Sequence, residues 1–420
     1  MFSADTGLLA AFFLSVSFLH VRDSHFAMLD IPFTFFCVVF YLCIWGVYLN
    51  GSWRSYLLTG FVGGIATAFK YFGIVLIIPL FIAGIIASPR SPGNFLTRAF
   101  SIKFITTLIL FCLVLAITSP YIILDFSSFI LDIKEEILLS QYKSGHTLLP
   151  QLRTARGWLY HLAFSLRYGM GLLPELICIS GVLWSVYRSF KGERQHLLLL
   201  SFIVPFYLLL SPQKKPFMRY VTVMLPFLYL SGSRIITDNL SRIGGLKGKI
   251  ILLLIALAVI AEPLHNLYLH DKLLGRKDSR NLASRWMEKN IPQTAFIILS
   301  NPLIFGNPPV FNKYYHRISL SGEETPEDLE RLSYLLRSRQ AYLIVNDHFL
   351  LYSSVNQDAI SYLIQLGDLV YSIEAFESSN ACRPIYDPFD AYYLPLASYR
   401  GVKHAGPNIR IYRFPRSPNS

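Results

Sequence analysis

Residues 55–87 of the chain, SYLLTGFVGGIATAFKYFGIVLIIPLFIAGIIA, contain one charged side chain, that of Lys70. A helix needs about 20 apolar residues to cross a bilayer, and this stretch has about twice the spanning length. Because a charged side chain is costly within the hydrocarbon, we expect Lys70 to lie at the membrane boundary. The stretch therefore predicts two transmembrane helices that meet in a tight turn at Lys70.

Further apolar runs lie along the chain near residues 6–19, 31–49, 103–120, 170–187, 196–211, 220–233 and 249–263. The 420 residues are 53% hydrophobic and only 15% charged, which excludes an ordinary soluble protein. Together with the two helices at Lys70, these runs predict a polytopic α-helical membrane protein with about nine transmembrane helices.

The net charge of +12 is explained by topology. Lys and Arg recur in the alternate loops at 50–55, 88–102, 188–195 and 234–248, which the positive-inside rule places in the cytoplasm. The other connections, at 20–30, Lys70, 121–169 and 212–219, should then lie on the extracytoplasmic face, together with the tail from residue 264. The basic charge therefore gives no reason to expect a nucleic-acid partner.

The tail differs in composition from the rest of the chain. SRNLASRWMEKNIPQTAFIILSN (279–301) is typical of an amphipathic helix, a turn and a strand, and TPEDLERLSYLLRSRQAYLIVND (325–347) of a capped helix followed by a buried strand. We expect a transmembrane domain over 1–263 and a small extracytoplasmic α/β domain over 264–420. Cys382 is the only tail cysteine, so neither a disulfide within the tail nor a cysteine-cluster zinc site is expected.

Several apolar blocks resemble a known family in their order and spacing. They are GLLAAFFLSVSFLHVRDSHFAMLDIPFTFF (7–36), GFVGGIATAFKYFGIVLIIP (60–79), SPYIILDFSSFILDI (119–133), GWLYHLAFSLRYGMG (157–171), FMRYVTVMLPFLYL (217–230) and DSRNLASRWMEKNIP (278–292). The set resembles the dolichyl-phosphate-mannose-protein mannosyltransferase-like enzymes, which are membrane glycosyltransferases of the C-type fold.

This resemblance implies a function in the inner or plasma membrane. The protein would transfer a sugar from a polyprenyl-phosphate donor to a protein or a lipid or glycan acceptor on the extracytoplasmic face. In the family, the presumed general base lies in an acidic loop after the first helix. Residue 1 falls just before what resembles a later helix, so we expect that loop either to be encoded upstream or to be missing from a non-catalytic descendant.

The chemistry of the donor indicates where it would bind. The leaving polyprenyl phosphate gains negative charge as the glycosidic bond breaks, so cations are needed at one membrane face. Lys70 and Arg219 are the main candidates for phosphate contact, followed by the Lys214–Lys215 pair, and Tyr71 is a neighbouring substrate contact. Snorkelling anchors and helix ends are the alternative interpretation of these cations.

Asp30 opens an apolar run on the same predicted face, and the resemblance makes it an active-site carboxylate. It would orient a cation, bind sugar hydroxyls or help to bind a divalent metal, and it is a weaker candidate for the sole catalytic base. The alternative is a residue that only marks the helix end.

Other polar residues on this face are secondary candidates. Arg22 and His25 are possible substrate contacts, whereas Asp23, in the same loop, is interpreted as part of a solvated turn. Segment 121–169 is expected to lie in the membrane interface, where Asp125 is another possible contact. His161 is interpreted as a structural histidine.

Two other functions remain open. Charged residues among apolar helices also occur in transporters, but we find neither repeated halves nor charges near the middle of a span. A non-catalytic assembly protein with a glycosyltransferase-like frame would explain a missing acidic loop.

Overall fold

The computed structural model describes residues 1–87, 100–141, 157–214, 216–300, 315–320, 325–338, 340–348, 350, 357–377, 383–388 and 392–414. The chain forms two compact units. The first consists of Met1–Thr147 and Gln151–Leu267, and the second mainly of Tyr268–Ser420. Each unit is described by itself below.

The first unit is helical. Its helices are α1 (Ala4–Ser15), α2 (Phe18–His25), α3 (Asp30–Asn50), α4 (Trp53–Phe69), α5 (Ile77–Ile86), α6 (Ile102–Thr118), α7 (Tyr121–Leu124), α8 (Phe126–Gln141), α9 (Gly157–Tyr160), α10 (Arg167–Met170), α11 (Leu172–Phe190), α12 (Arg194–Leu210), α13 (Leu225–Leu240) and α14 (Gly245–Leu274). Two 3-10 segments, Tyr71–Leu76 and Met218–Met224, precede α5 and α13, and a π-helical turn, His161–Leu166, joins α9 to α10.

Each predicted apolar run is largely helical, although the run at 6–19 is divided between α1 and α2 and the run at 220–233 begins in a 3-10 segment. The predicted number of spans is not confirmed. Among the described residues, two helical segments are long and apolar enough to cross a membrane, Asp30–Asn50 and Gly245–Asn290. The count becomes three if α1 and α2, which are bent by 56° relative to each other, form one broken span. The structure therefore shows a mainly helical unit with candidate membrane spans, and about nine spans is more than this finding supports.

The loop predicted at 20–30 is also wrong in part, because most of it belongs to helix α2. Ser17 precedes this helix, and the polar residues RDSH fill its last turn. A polar stretch between two apolar runs looks like a loop in the sequence, but here it continues the helix as far as His25.

Helices α4 and α6 are held together by close backbone approach. A Cβ atom at Gly60 would lie 2.6 Å from the carbonyl oxygen of Thr107, and one at Gly64 would lie 2.7 Å from that of Phe111. Both contacts advance in the same direction along the chain, so the two helices run parallel. Their carboxyl ends, after Phe69 and Thr118, therefore lie at the same end of the bundle.

Helix α3 runs antiparallel to α4. The Phe36 ring stacks on Phe69, whereas Gly46 lies against Ser55 near the other end of the pair. Asp30, at the start of α3, is therefore brought to the end of α4, where Lys70 follows.

The second unit is an α/β domain. Its strands are β1 (Phe296–Leu299), β2 (His316–Ser319), β3 (Ala341–Asp347), β4 (Asp368–Ile373), β5 (Ile385–Tyr386), β6 (Pro395–Ala397) and β7 (Asn408–Phe414). A five-stranded sheet has the order β2-β1-β3-β7-β4, in which β1 pairs parallel with β2 and β3 while β7 pairs antiparallel with β3 and β4.

Both faces of this sheet are covered by helices. Helix α15 (Ser279–Asn290) buries Ala283 and Met287 against one face. Helices α16 (Pro326–Ser338) and α17 (Gln357–Gln365) bury Leu332 and Leu363 on the other. The run AYLIVND forms the buried strand β3 because side chains on both of its faces are enclosed.

Candidate functional site

Three of the predicted site residues meet at one end of the first unit. The Nζ atom of Lys70 lies 2.5 Å from Oδ1 of Asp30, and Nε of Arg219 lies 3.9 Å from Oδ2 of the same carboxylate. The Asp30 side chain is only 3% exposed, whereas those of Lys70 and Arg219 are 18% and 22% exposed. One buried carboxylate therefore holds two cations that remain accessible to a ligand.

A turn between α2 and α3 positions Asp30 at the start of α3. The N–H groups of Ala27 and Met28 donate to the carbonyls of Ser24 and Asp23, and Ala27 has a φ of 50°. This is the hydrogen-bond pattern of a Schellman helix end, which usually has glycine at the left-handed position. A non-glycine residue in that conformation is strained, so the surrounding contacts must fix the turn.

A second ion pair supports the first. Nε of Arg22 donates to Oδ1 of Asp23 at 3.0 Å, and the hydroxyl of Thr222 donates to Oδ2 at 2.7 Å. Asp23 is completely buried, so its interpretation as part of a solvated turn is wrong. Asp23 is also close enough to Asp30 to interact with it electrostatically.

The burial of Arg22 changes its predicted role. Its side chain is 2% exposed, and its guanidinium also contacts the sulfur of Met218 at 3.8 Å. Arg22 is therefore placed to support the site through Asp23, not to meet a substrate at the surface. The 3-10 segment Met218–Met224 brings Met218, Arg219 and Thr222 to this network together.

Aromatic rings line the cations. The Tyr220 ring lies 4.6 Å from Nζ of Lys70, and the Phe217 ring lies 4.4 Å from the guanidinium carbon of Arg219. The Phe72 ring meets Tyr220 edge to face, with centroids 5.6 Å apart. Rings in these positions limit the rotamers of both cations and attract them through the ring quadrupole.

Tyr71, the residue after Lys70, lines an open groove of about 460 Å³. It is lined by Tyr71, Thr118, Ser119, Pro120, Tyr121, Ile122, Asp125, Ser128, Phe129 and Asp132. The groove therefore brings together Tyr71 and Asp125, two predicted substrate contacts from different connections. Oδ1 of Asp125 accepts the N–H of Ser128 at 3.3 Å and thereby caps helix α8.

The other predicted residues that the structure describes differ in their exposure. His25 is exposed at the end of α2, and Lys214 is exposed in the connection after α12. Lys215 lies outside the described residues. His161 is fully buried in the π-helical turn, where Nδ1 lies 3.0 Å from the Ser165 hydroxyl, consistent with a structural role.

The first unit contains a further polar contact that sequence reasoning missed. Glu262 accepts from Arg167 at 2.5 Å and from the N–H of Leu172 at 2.8 Å, so one carboxylate joins α10, the start of α11 and α14. Arg167 and Glu262 are 95 residues apart. Arg167 lies in the block at 157–171 and Glu262 lies in no such block, so no sequence signal pairs them.

The described charges of the site are suited to an anion. Among the contacts that the structure describes, the three cations Arg22, Lys70 and Arg219 meet the two carboxylates of Asp23 and Asp30. In the part of the chain that the structure describes, no group of three or more His, Cys, Asp or Glu side chains could hold a metal ion. The exposed parts of Lys70 and Arg219 are therefore able to attract an anion, such as a phosphodiester.

Comparison with known proteins covers part of this site. No curated protein matches the chain. A family model does match residues 1–123, the region that contains Asp30, Lys70 and Tyr71 but not Arg219 or Asp125. The resemblance seen in the sequence motifs is therefore confirmed over residues 1–123, which match the dolichyl-phosphate-mannose-protein mannosyltransferase family of membrane glycosyltransferases.

Proposed function

We propose that this protein is a membrane glycosyltransferase that takes its sugar from a polyprenyl-phosphate donor, with Lys70 and Arg219 binding the donor phosphate. The observation that carries the proposal is the shared carboxylate of Asp30, which holds two partly exposed cations from separate connections. A lysine that only anchors a helix at the membrane surface needs no carboxylate partner. An arginine that only marks a helix end does not need to contact the same carboxylate.

The reaction gives each residue a distinct task. As the bond between the sugar and the phosphate oxygen breaks, the leaving phosphate gains a second negative charge. Lys70 and Arg219 stabilise this charge, and they are already oriented before the reaction begins. Asp30 is ion-paired and almost fully buried, so it acts by positioning Lys70 and not as the base that deprotonates the acceptor.

The position of the cluster favours this function over transport. Asp30 begins α3 and Lys70 follows α4, so these charges lie at helix ends and not at mid-span. We place this end of the bundle, together with the α/β domain, on the extracytoplasmic face of the inner or plasma membrane. The acceptor would be a protein or a lipid-linked glycan.

Binding of a short-chain polyprenyl phosphate to the purified full chain tests the proposal. Lys70→Gln and Arg219→Gln should each weaken binding roughly 10- to 100-fold, because each removes one charge-assisted contact with the phosphate. Lys247→Gln, which removes an exposed cation from a predicted cytoplasmic loop, should leave the affinity unchanged. If both site variants keep the parental affinity, Lys70 and Arg219 are membrane anchors and do not contact the donor phosphate.

A sugar-transfer assay then separates an enzyme from a non-catalytic assembly protein with the same donor site. An enzyme transfers the sugar and loses activity on Asp30→Asn, whereas an assembly protein binds the donor and releases it unchanged. The expected result is transfer.

A further inference from the structure

The segment that carries Arg219 is an unusually long 3-10 helix. Met218–Met224 has 7 residues, whereas 3-10 runs longer than about 3–4 residues are uncommon because their hydrogen-bond geometry is poor. Pro226, in the first turn of α13, has no N–H to donate to the carbonyl of Thr222, and the regular α-helix begins at Leu225. A 3-10 run of this length needs contacts outside itself to hold its conformation.

The orientation of Arg219 depends on this conformation. Each residue turns by about 120° in a 3-10 helix and by about 100° in an α-helix. Arg219 lies six residues before Leu225, where α13 begins, so an α-helical segment would rotate Arg219 by about 120° around the helix axis. The shorter rise of the α-helix would also move Arg219 by about 3 Å. The 3.9 Å separation between Nε of Arg219 and Oδ2 of Asp30 therefore depends on the 3-10 conformation.

Two contacts tie this segment to α2, one on each side of Arg219. The hydroxyl of Thr222 donates to Oδ2 of Asp23 at 2.7 Å, and the sulfur of Met218 accepts from Arg22 at 3.8 Å. The Thr222 contact is the stronger of the two, because a carboxylate is a strong acceptor and a thioether is a weak one. Thr222 and Asp23 are both completely buried, so water has no access to replace this hydrogen bond.

The spacing of Thr222 and Arg219 links this contact to the site. In a 3-10 helix, side chains three residues apart lie on the same face, and Arg219 and Thr222 have this spacing. The bond from Thr222 to Asp23 therefore also fixes the face on which Arg219 lies. Nε of Arg22 donates to the other carboxylate oxygen of Asp23 at 3.0 Å, so this acceptor is itself held in place.

We infer that Thr222 is a positioning residue of the phosphate site, whose hydroxyl, bound to Asp23, holds Arg219 where it contacts the donor phosphate. The inference rests on the proposed function and adds a buried residue that acts through Arg219. Lys70 is held separately, by Asp30 at 2.5 Å. Loss of the Thr222 hydroxyl should therefore weaken phosphate binding mainly through Arg219.

The test measures binding of a short-chain polyprenyl phosphate to the purified full chain. Thr222→Val keeps the shape of the side chain but removes its hydroxyl, and it should weaken binding about 3- to 10-fold, because Arg219 is still present but less well oriented. Thr222→Ser keeps the hydroxyl and should bind within about twofold of the parent. Thr107→Val is the control, since Thr107 is also completely buried and its hydroxyl donates to the Tyr56 carbonyl in α4. This control should keep the parental affinity.

A double variant separates positioning from a general loss of structure. In an Arg219→Gln background, Thr222→Val should change the affinity by less than about twofold, because the arginine that Thr222 positions is gone. A residue with only a structural role would weaken binding by the same factor in both backgrounds, and that result would overturn the inference. Thr222→Ala, which leaves room for a water molecule beside Asp23, serves for the same comparison where the valine variant does not fold.

The outcomes distinguish this inference from the proposed function. A parent protein that does not bind the polyprenyl phosphate would overturn the proposed function, and the role of Thr222 with it. A parent that binds the ligand, with weaker binding in Arg219→Gln and parental affinity in the valine and alanine variants of Thr222, would preserve the phosphate site and overturn this inference alone.

Discussion

The Asp30–Lys70 pair predicts a measurable coupling in stability. Replacing Asp30 by Asn removes the carboxylate that Lys70 and Arg219 share, and replacing Lys70 by Met removes the cation 2.5 Å from it. The double variant loses both charges at once. If the pair is a real interaction, the double variant should cost less than the sum of the single variants.

The exposure of the two side chains sets the expected size. Exposed ion pairs contribute about 0–1 kcal/mol, and removing one partner of a fully buried pair costs about 3–5 kcal/mol. Asp30 is 3% exposed and Lys70 is 18% exposed, so the pair lies between these cases. Arg219 stays 3.9 Å from Asp30 in the Lys70 variant and offsets part of the loss. We therefore expect a coupling of about 2 kcal/mol.

Free energies of unfolding in mixed micelles, measured for the parent, both single variants and the double variant, give this coupling. The Arg234–Asp238 pair provides a matched control, since its atoms lie 2.9 Å apart within one helix and both side chains are 17–19% exposed. Its coupling should be about 0.5 kcal/mol. A coupling for Asp30–Lys70 no larger than the control would refute the claim that this carboxylate holds Lys70.

Three further predictions concern other parts of the chain. Gly64→Val should destabilise the first unit by about 1–3 kcal/mol, because a Cβ atom there meets the Phe111 carbonyl at 2.7 Å, whereas Gly7→Ala, with open space around it inside α1, should leave stability unchanged or raise it by up to about 1 kcal/mol. An export-dependent reporter fused after residue 300 should be active and a cytoplasm-dependent one silent; the reverse pattern would contradict the proposed topology. Burial is the main cause that lowers the pKa of His348 to about 3, and the charge of Arg280 is the second cause. Below about pH 6.5 the histidine of the unfolded chain therefore takes up a proton, whereas the folded protein keeps this side chain neutral. The free energy of unfolding should therefore fall by about 2 kcal/mol between pH 6.5 and 5, and His348→Gln should remove most of this pH dependence. If the variant has the same pH profile as the parent, His348 is not its cause.

The sequence predicted the helices of the first unit because long apolar runs are a strong signal. The interruption at Lys70 correctly marked the end of one helix and the start of the next. The number of membrane crossings was harder to predict. An apolar run of 10–17 residues, such as Ile102–Thr118, forms a helix, but its length alone does not show that it crosses the membrane.

Three members of the candidate cluster were selected from the sequence, but their contacts were not predicted. Asp30, Lys70 and Arg219 were selected separately, by charge at the ends of apolar runs, and the structure brings them together. Asp23 was missed because its partner Thr222 lies 199 residues away and a hydroxyl within an apolar block gives no signal. The helix end at Ala27 was missed for another reason, since sequence rules look for glycine or asparagine at that position.

Under the proposed function, the two carboxylates keep the cationic site selective. Three cations without partners at a membrane face would bind any anion, including the phosphates of ordinary lipids. Asp23 and Asp30 pair with these cations and so lower the positive charge that the cluster presents to an anion. Under the proposed function, breaking the glycosidic bond raises the charge on the phosphate from one to two, so the cluster attracts the leaving group more strongly than the bound donor. Because Asp30 and the Tyr220 ring already fix Lys70 near its working position, little of this gain is lost to reorganisation, and the stabilisation acts on the transition state.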